Sequence, residues 1–250
     1  MSILKYDADN TTWSPQGKLL QIEYAMEAVK QGSICVALRG ENGAVLLSVK
    51  KNPTKLATYQ EKIFKISRTS GVGISGMTAD ARMLCKYMRN ANTQNQVVYN
   101  TTMDIGSLAQ KVAKKYQGKT NVSGKRPFGV GLLLTGLTSK GEPRVFELNP
   151  NGDCLQYEAY AIGAKSQSAR TYLEKNLKMF KRSELNKLVL HGLAAIKAGY
   201  RDEKEEMSES NIEISVLNPE EGFKNLNNQE VKDYLTKLND FNPDNEMVIE

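Results

Sequence analysis

Residues 71–76 read GVGISG and run directly into MTADARML. Glycine at the first, third and sixth positions ahead of a helical pattern is the spacing that lets a backbone cradle a pyrophosphate at a helix N-terminus. That chemistry also needs a strand–turn–helix unit with an acidic residue about 20 positions further on. At that distance past Gly76 the chain reads TQNQVV and offers no carboxylate. The segment reads instead as the second strand of a hairpin, with glycines where packed layers approach closely. No nucleotide or other cofactor is expected.

The remaining residues with chemistry of their own are sparse. His191 is the only histidine, set among Leu185, Leu188, Val189 and Ile196 in a helical pattern. A lone histidine cannot assemble the usual zinc site, and a Ser-His-Asp triad would hang entirely on it, so packing is its expected role. Cys35, Cys85 and Cys154 are odd in number and far apart, which leaves no disulfide framework and no metal-binding or redox C-x-x-C pair. Buried thiols are expected, and no metal site.

Charge points to a surface, not to a reaction. The formal net charge is +6, and no acid stands between Asp104 and Glu142, where Lys111, Lys114, Lys115, Lys119, Lys125, Arg126 and Lys140 fall. On a helix the first three lie opposite Ile105, Leu108 and Val112, the pattern of a solvated amphipathic face. No nucleic-acid motif accompanies them. An acidic protein partner is the expected functional use, not nucleic acid. With 40% hydrophobic and 25% charged residues the composition is that of a soluble globular protein. No apolar run approaches the roughly 18 residues that span a membrane. The opening MSILKYDADN has acids where a signal peptide would have its apolar centre. The cytoplasm and nucleus are the expected compartments, with no membrane partner.

The elements that would carry these residues follow from periodicity. WSPQGKLLQIEYAMEAVKQG opens on a Pro-x-Gly turn and places Leu19, Ile22, Met26 and Val29 at spacings of three and four before Gly32, which predicts an amphipathic helix over 18–31. SICVALRGENGAVLLSVK predicts a hairpin in which Ile34, Val36 and Leu38 share one face of the first strand and Val45, Leu47 and Val49 share one face of the second. Strands are expected in KIFKIS and GVGISG, and helices over about 78–96 and 104–117. RPFGVGLLLTG and PRVFELNPNGDCLQYEAYAIG predict a second strand block, turning at Asn149–Gly152. Two helices follow, one striped by Ala169, Tyr172, Leu173 and Leu177, the other holding His191 and closed by Gly199. NIEISVLN and a helix near 228–238 end the pattern. Strands, two helices, strands, two helices, without a long linker, predict one α+β domain with helices segregated from antiparallel strands.

YDADNTTWSPQGKLLQIEYAMEAVKQG, from Tyr6 to Gly32, closely resembles the signature of the alpha subunits of the 20S proteasome. SGMTADAR, RPFGVGLL and AIGAKSQSARTYLE match that family in order and spacing. The last of these, with EYAMEAVKQGS, is most similar to the type-1 alpha subunits, which take the sixth position of the eukaryotic alpha ring. The resemblance runs from about Tyr6 to Val216. It implies a four-layer αββα sandwich of two stacked antiparallel sheets, the fold of N-terminal nucleophile hydrolases. It also implies a single domain over 1–239, with a gate segment and alpha-specific helix in 1–32 and an acidic tail over 240–250.

What the resemblance implies about function is a non-catalytic place in the outer heptameric ring. Neighbouring alpha subunits would flank the chain, the beta ring would lie beneath it, and a regulatory particle or other activator would dock above through C-terminal tails. The product would be ATP- and ubiquitin-dependent protein degradation. Residues matching Tyr6, Asp7, Pro15 and Tyr24 hold the pore entrance open in the family; Ala8 replaces a frequent basic residue, and Trp13 stands for Phe. Lys62 matches a lysine that pairs with an activator's terminal carboxylate, with Gly76 and Met77 as the adjacent backbone and wall. The alternative is a self-processing beta-type threonine or serine peptidase, which needs an N-terminal nucleophile freed by cleavage after glycine. The sequence has no Gly-Thr pair. Its nearest substitute is Ser33 after Gly32, and the beta-type carboxylate falls near Val49, leaving only Lys62 of that set. No catalytic residue is therefore expected.

Overall fold

The computed structural model describes residues 6–51, 56–58, 60–200 and 207–241. In chain order the elements are α1 (Leu20–Gln31), β1 (Cys35–Arg39), β2 (Ala44–Val49), β3 (Ile63–Ser67), β4 (Ser70–Gly76), α2 (Thr78–Tyr99), α3 (Ile105–Thr120), β5 (Val130–Leu137), β6 (Pro143–Leu148), β7 (Cys154–Tyr157) and β8 (Ala159–Ile162). They continue with α4 (Ser166–Lys175), α5 (Leu177–Phe180), α6 (Leu185–Tyr200), β9 (Ile212–Asn218), β10 (Gly222–Asn225) and α7 (Asn228–Asp240).

Alternation along the strands builds three layers of core. In β1, Val36 and Leu38 pack against α4, α6 and α7, while Cys35 and Ala37 point the other way into the space between two sheets. In β5, Leu132 and Leu134 join Leu84, Met88, Leu108 and Val112 of α2 and α3, while Leu133 points inward to meet Leu46 and Phe223. One sheet runs β10-β9-β2-β1-β8 and the other β3-β4-β5-β6-β7, with antiparallel pairing throughout. Helices on both outer faces complete the four layers. Strands covered on both sides must be apolar on both sides, and β2 and β5 are buried along their whole length. Each fully buried Leu, Ile or Val there contributes about 1.5–3 kcal/mol relative to an exposed one.

GVGISG is part of β4, as the hairpin reading expects. A side chain at Gly71 would overlap the Phe223 ring, and one at Gly73 would overlap the Cys35 Sγ, so these glycines let the two sheets close. Gly76 differs: its φ of +109° is left-handed, and any Cβ there would strike the Gly129 carbonyl.

Three predicted helices are longer at their C-termini, α2 to Tyr99, α3 to Thr120 and α6 past Gly199 to Tyr200. The one expected to carry Ala169, Tyr172, Leu173 and Leu177 instead ends at Lys175, with Asn176 as its C-cap, and Leu177 opens the separate short helix α5. Asn100, at φ +52°, ends α2 with its N–H donating to the Gln96 carbonyl. The short strand β10 adds to the expected elements; Phe223 is the only large apolar residue of its four. The helix α1 starts at Leu20, not 18, and crosses the end of β4 and β5, where Val29 packs on Gly131 and Gly32 on the Gly76 backbone. Ala25 and Val29 are buried, yet Ile22 and Met26 are half-buried and Tyr24 is exposed. Most of the 240–250 tail lies outside the described residues.

Candidate functional site

Lys62 stands immediately before β3, where two chemistries divide its backbone from its side chain. Its N–H and that of Ile63 both donate to Glu213 Oε2, at 2.8 and 3.2 Å, across the gap to β9 of the other sheet. Burial pushes the Glu213 carboxyl above its ordinary value, and these backbone donors offset only part of that. The ammonium points elsewhere. Nζ donates to Gln60 Oε1 at 3.2 Å and to Thr78 Oγ1 at 3.3 Å, and Thr78 donates to the same Gln60 oxygen at 3.1 Å. Lys62 is only 8% exposed. Burial holds its pKa below the ordinary 10.5, and the Glu213 charge offsets only part of that. Among the described residues no carboxylate oxygen lies within 4.0 Å of Nζ.

Thr78 opens α2 and Met77 is its N-cap, so Lys62 reaches the junction that Gly76 and Met77 form. The fold thus brings all three predicted pocket residues to one place. Met77 is half exposed, and its N–H is fixed to the Gly129 carbonyl at 2.8 Å.

One turn into α2, Asp80 is 3% exposed. Its carboxylate accepts from both terminal nitrogens of Arg126, at 2.7 and 2.8 Å, and from the Gly129 N–H at 2.9 Å. The Arg126 guanidinium holds the Asp80 carboxyl below the ordinary range, and Asp80 raises Arg126 in return. This pair ties the α3–β5 connection to the start of α2. Sequence reasoning assigned the pair no role; the one signal available was that TADAR and RPFG, two family motifs, carry opposite charges. Gln60, Thr78 and Glu213 gave none.

The four predicted gate residues are placed around α1 without joining one another: among the described residues no hydrogen bond or ion pair links Tyr6, Asp7, Pro15 and Tyr24. Gln21 of α1 donates to the Asp7 carbonyl. Pro15 occupies the second position of a turn closed by Gly17 N–H to Ser14 O at 2.9 Å, with Gly17 at φ +72°. Its ring and the Tyr24 side chain, 49% exposed, face away from the chain.

At the beta-type positions the chemistry is occupied by packing. Ser33 is 6% exposed, its carbonyl accepts from Ser75 Oγ at 2.9 Å, and the Gly32 carbonyl before it accepts from the Ala164 N–H at 2.8 Å. Val49 is fully buried opposite Ile212. His191 is fully buried between the Phe180 and Phe241 rings, with Nδ1 3.0 Å from the Tyr172 hydroxyl. Cys35 and Cys85 are buried and Cys154 partly so, all with thiols pushed up by burial, Cys85 to about 11. Among the described residues no group of His, Cys, Asp or Glu could hold a metal ion, and no helix is long and apolar enough to cross a membrane.

Comparison with known proteins matches residues 6–28 to the N-terminal signature of A-type proteasome subunits and residues 29–217 to the proteasome subunit family. The chain is 41% identical to proteasome subunit alpha type-1 of Dictyostelium discoideum over 96% of both chains. It is 39% identical to a probable proteasome subunit alpha type-6 of Schizosaccharomyces pombe, over 96% of this chain and 87% of that one. It is also 39% identical to proteasome subunit alpha type-1 of Trypanosoma brucei rhodesiense, over 92% of this chain and 86% of the relative. With both family matches and these near full-length relatives in agreement with the four-layer fold, the chain belongs to the proteasome subunit family, as one of its alpha subunits.

Proposed function

We propose that this alpha subunit is a non-catalytic member of the outer ring of the 20S core particle, and that its Lys62 receives the terminal carboxylate of an activator's tail. The observation that carries this reading is the Lys62 ammonium, buried yet hydrogen-bonded, among the described residues, only to neutral oxygens. A buried ammonium with no carboxylate in contact, its burial only partly offset by Glu213, is costly, so a carboxylate arriving from outside would gain both an ion pair and a desolvated partner. Gly76 and Met77 form the wall beside it, and Lys62 presents the point charge that suits a chain terminus.

The half-covered stripe of α1 and the exposed Tyr24 fit a helix that completes its packing against ring neighbours, with Tyr6, Asp7 and Pro15 meeting partners across a subunit boundary at the pore entrance. The beta ring would contact another face. No nucleic acid or membrane enters this reading, and the subunit would act in the cytoplasm and nucleus in ubiquitin-dependent degradation. Ser33 stays inside the chain, so no free amine would activate its hydroxyl.

Titrating an activator tail peptide against assembled rings tests the pocket. Lys62→Ala is expected to weaken binding roughly ten- to a hundredfold, the loss of one charge-assisted hydrogen bond. Lys65, exposed within β3 three residues on and facing the other way, is the control, and Lys65→Ala should bind as wild type. Equal affinity for wild type and Lys62→Ala, or an equal loss for Lys65→Ala, would remove Lys62 from the site.

A further inference from the structure

Asn10 is 3% exposed although its neighbours Ala8, Thr11, Thr12 and Trp13 are open to solvent. A polar side chain is buried in an irregular surface segment only if its hydrogen bonds repay the desolvation. Here Nδ2 donates to the Lys119 carbonyl and to the Lys125 carbonyl, both at 2.7 Å. Two carbonyl oxygens require a two-proton donor, so the carboxamide has one possible orientation. Lys119 lies in the last turn of α3, where its carbonyl has no N–H four residues on inside the helix to accept from. Asn10 therefore caps a helix more than a hundred residues away in sequence.

Asp9 stands beside the same connection. Its carboxylate accepts from the Thr11 hydroxyl at 2.6 Å, and Thr11 first, then Ser123 of the α3–β5 connection, hold its pKa down. The surface being gripped is itself rigid, since the Lys125 N–H donates to the Val122 carbonyl and Arg126 is clamped bidentately to Asp80. On the other side, Gln21 of α1 reaches back to the Asp7 carbonyl, and Ser14 closes on Gly17 and Lys18. Residues 7–18 are thus fastened to two different parts of the subunit.

We propose that Asn10 is the positioning residue of the N-terminal segment: its carboxamide docks the segment on the α3–β5 connection and so sets where Tyr6 and Asp7 stand. The link to pore entry rests on the gate reading above, while the docking does not. The same Arg126–Asp80 pair that stiffens this cradle also braces the first turn of α2, beside Thr78 and Lys62.

The test uses assembled core particles carrying Asn10→Asp, which sets a carboxylate against two carbonyls, or Asn10→Val, which removes both donors without adding charge. A third particle lacks residues 1–9. Amide exchange over residues 6–14 and unstimulated hydrolysis of a fluorogenic peptide are read in each. Both Asn10 variants are expected to exchange at least about tenfold faster and to change the rate of peptide entry, as the deletion does. If Asn10→Asp does not assemble, Asn10→Val decides by the same readings. Wild-type exchange in the variants, or an entry rate altered only by the deletion, overturns the proposal. Faster exchange with entry unchanged even by the deletion leaves the docking standing and sinks the gate reading.

Discussion

Asp80 and Lys62 flank the first turn of α2, and both are buried charges. Asp80 is surrounded by donors from its own chain, two guanidinium nitrogens and a backbone N–H. Among the described residues the Lys62 ammonium donates only to the Gln60 amide oxygen and the Thr78 hydroxyl. The first is a closed structural brace, complete when the subunit folds. The second retains a desolvated charge that the fold offsets only in part, through Glu213, which is what a site for an external anion needs. Burial alone does not separate structure from function here; the sign and origin of the partners do.

The largest expected effect tests the closed member. Asp80→Asn should destabilise the chain by about 2 kcal/mol, below the usual cost of breaking a buried pair because Arg126 is largely exposed. The Asp80 carboxyl is held below its ordinary 3.8, so its contribution is complete above that pH and disappears as the pH falls through the lowered folded value. Denaturation midpoints of wild type and Asp80→Asn should therefore converge in strong acid. A constant difference down to the lowest pH would show that the ion pair is not the cause.

Lys62→Met should move stability by no more than about 1 kcal/mol, in the stabilising direction, because it removes a buried charge that Glu213 offsets only in part and keeps the volume. With a folded pKa below 10.5, wild type should gain stability as the pH rises from that folded value towards 10.5, and the Met variant should not. A loss as large as that of Asp80→Asn would make Lys62 a brace as well. The smallest effect is expected at Ser33: Ser33→Ala should leave every peptidase activity of the assembled particle unchanged. Selective loss of one activity with assembly intact would restore the beta-type reading.

The legible parts of the chain were those governed by local period. The paired stripes of Val36 with Leu38 and of Val45 with Leu47 announced the outer face of one sheet, and Leu108 with Val112 announced α3, because strand and helix repeats are written in neighbouring residues. GVGISG was readable as a strand from its context, but not the reason for each glycine. Gly71 needs Phe223 and Gly73 needs Cys35, both from the other sheet. The stretch 222–225 was not legible as a strand because one phenylalanine in four residues carries no period.

By itself the sequence determined the order of elements apart from β10 and the break between α4 and α5, the apolar faces and the alpha-type signature from Tyr6 to Gly32. It also named Lys62, Gly76 and Met77, although their grouping came from resemblance and not from spacing. Tertiary structure alone decided which charges are satisfied. Glu213 accepts from the Lys62 backbone across more than a hundred residues, Asp80 finds Arg126 from the α3–β5 connection, and Asn10 finds the end of α3. Hydrogen bonds and burial depend on distance in space, whereas sequence patterns record only distance along the chain, so a buried ammonium that meets only neutral oxygens cannot be distinguished from a solvated one until the chain has folded.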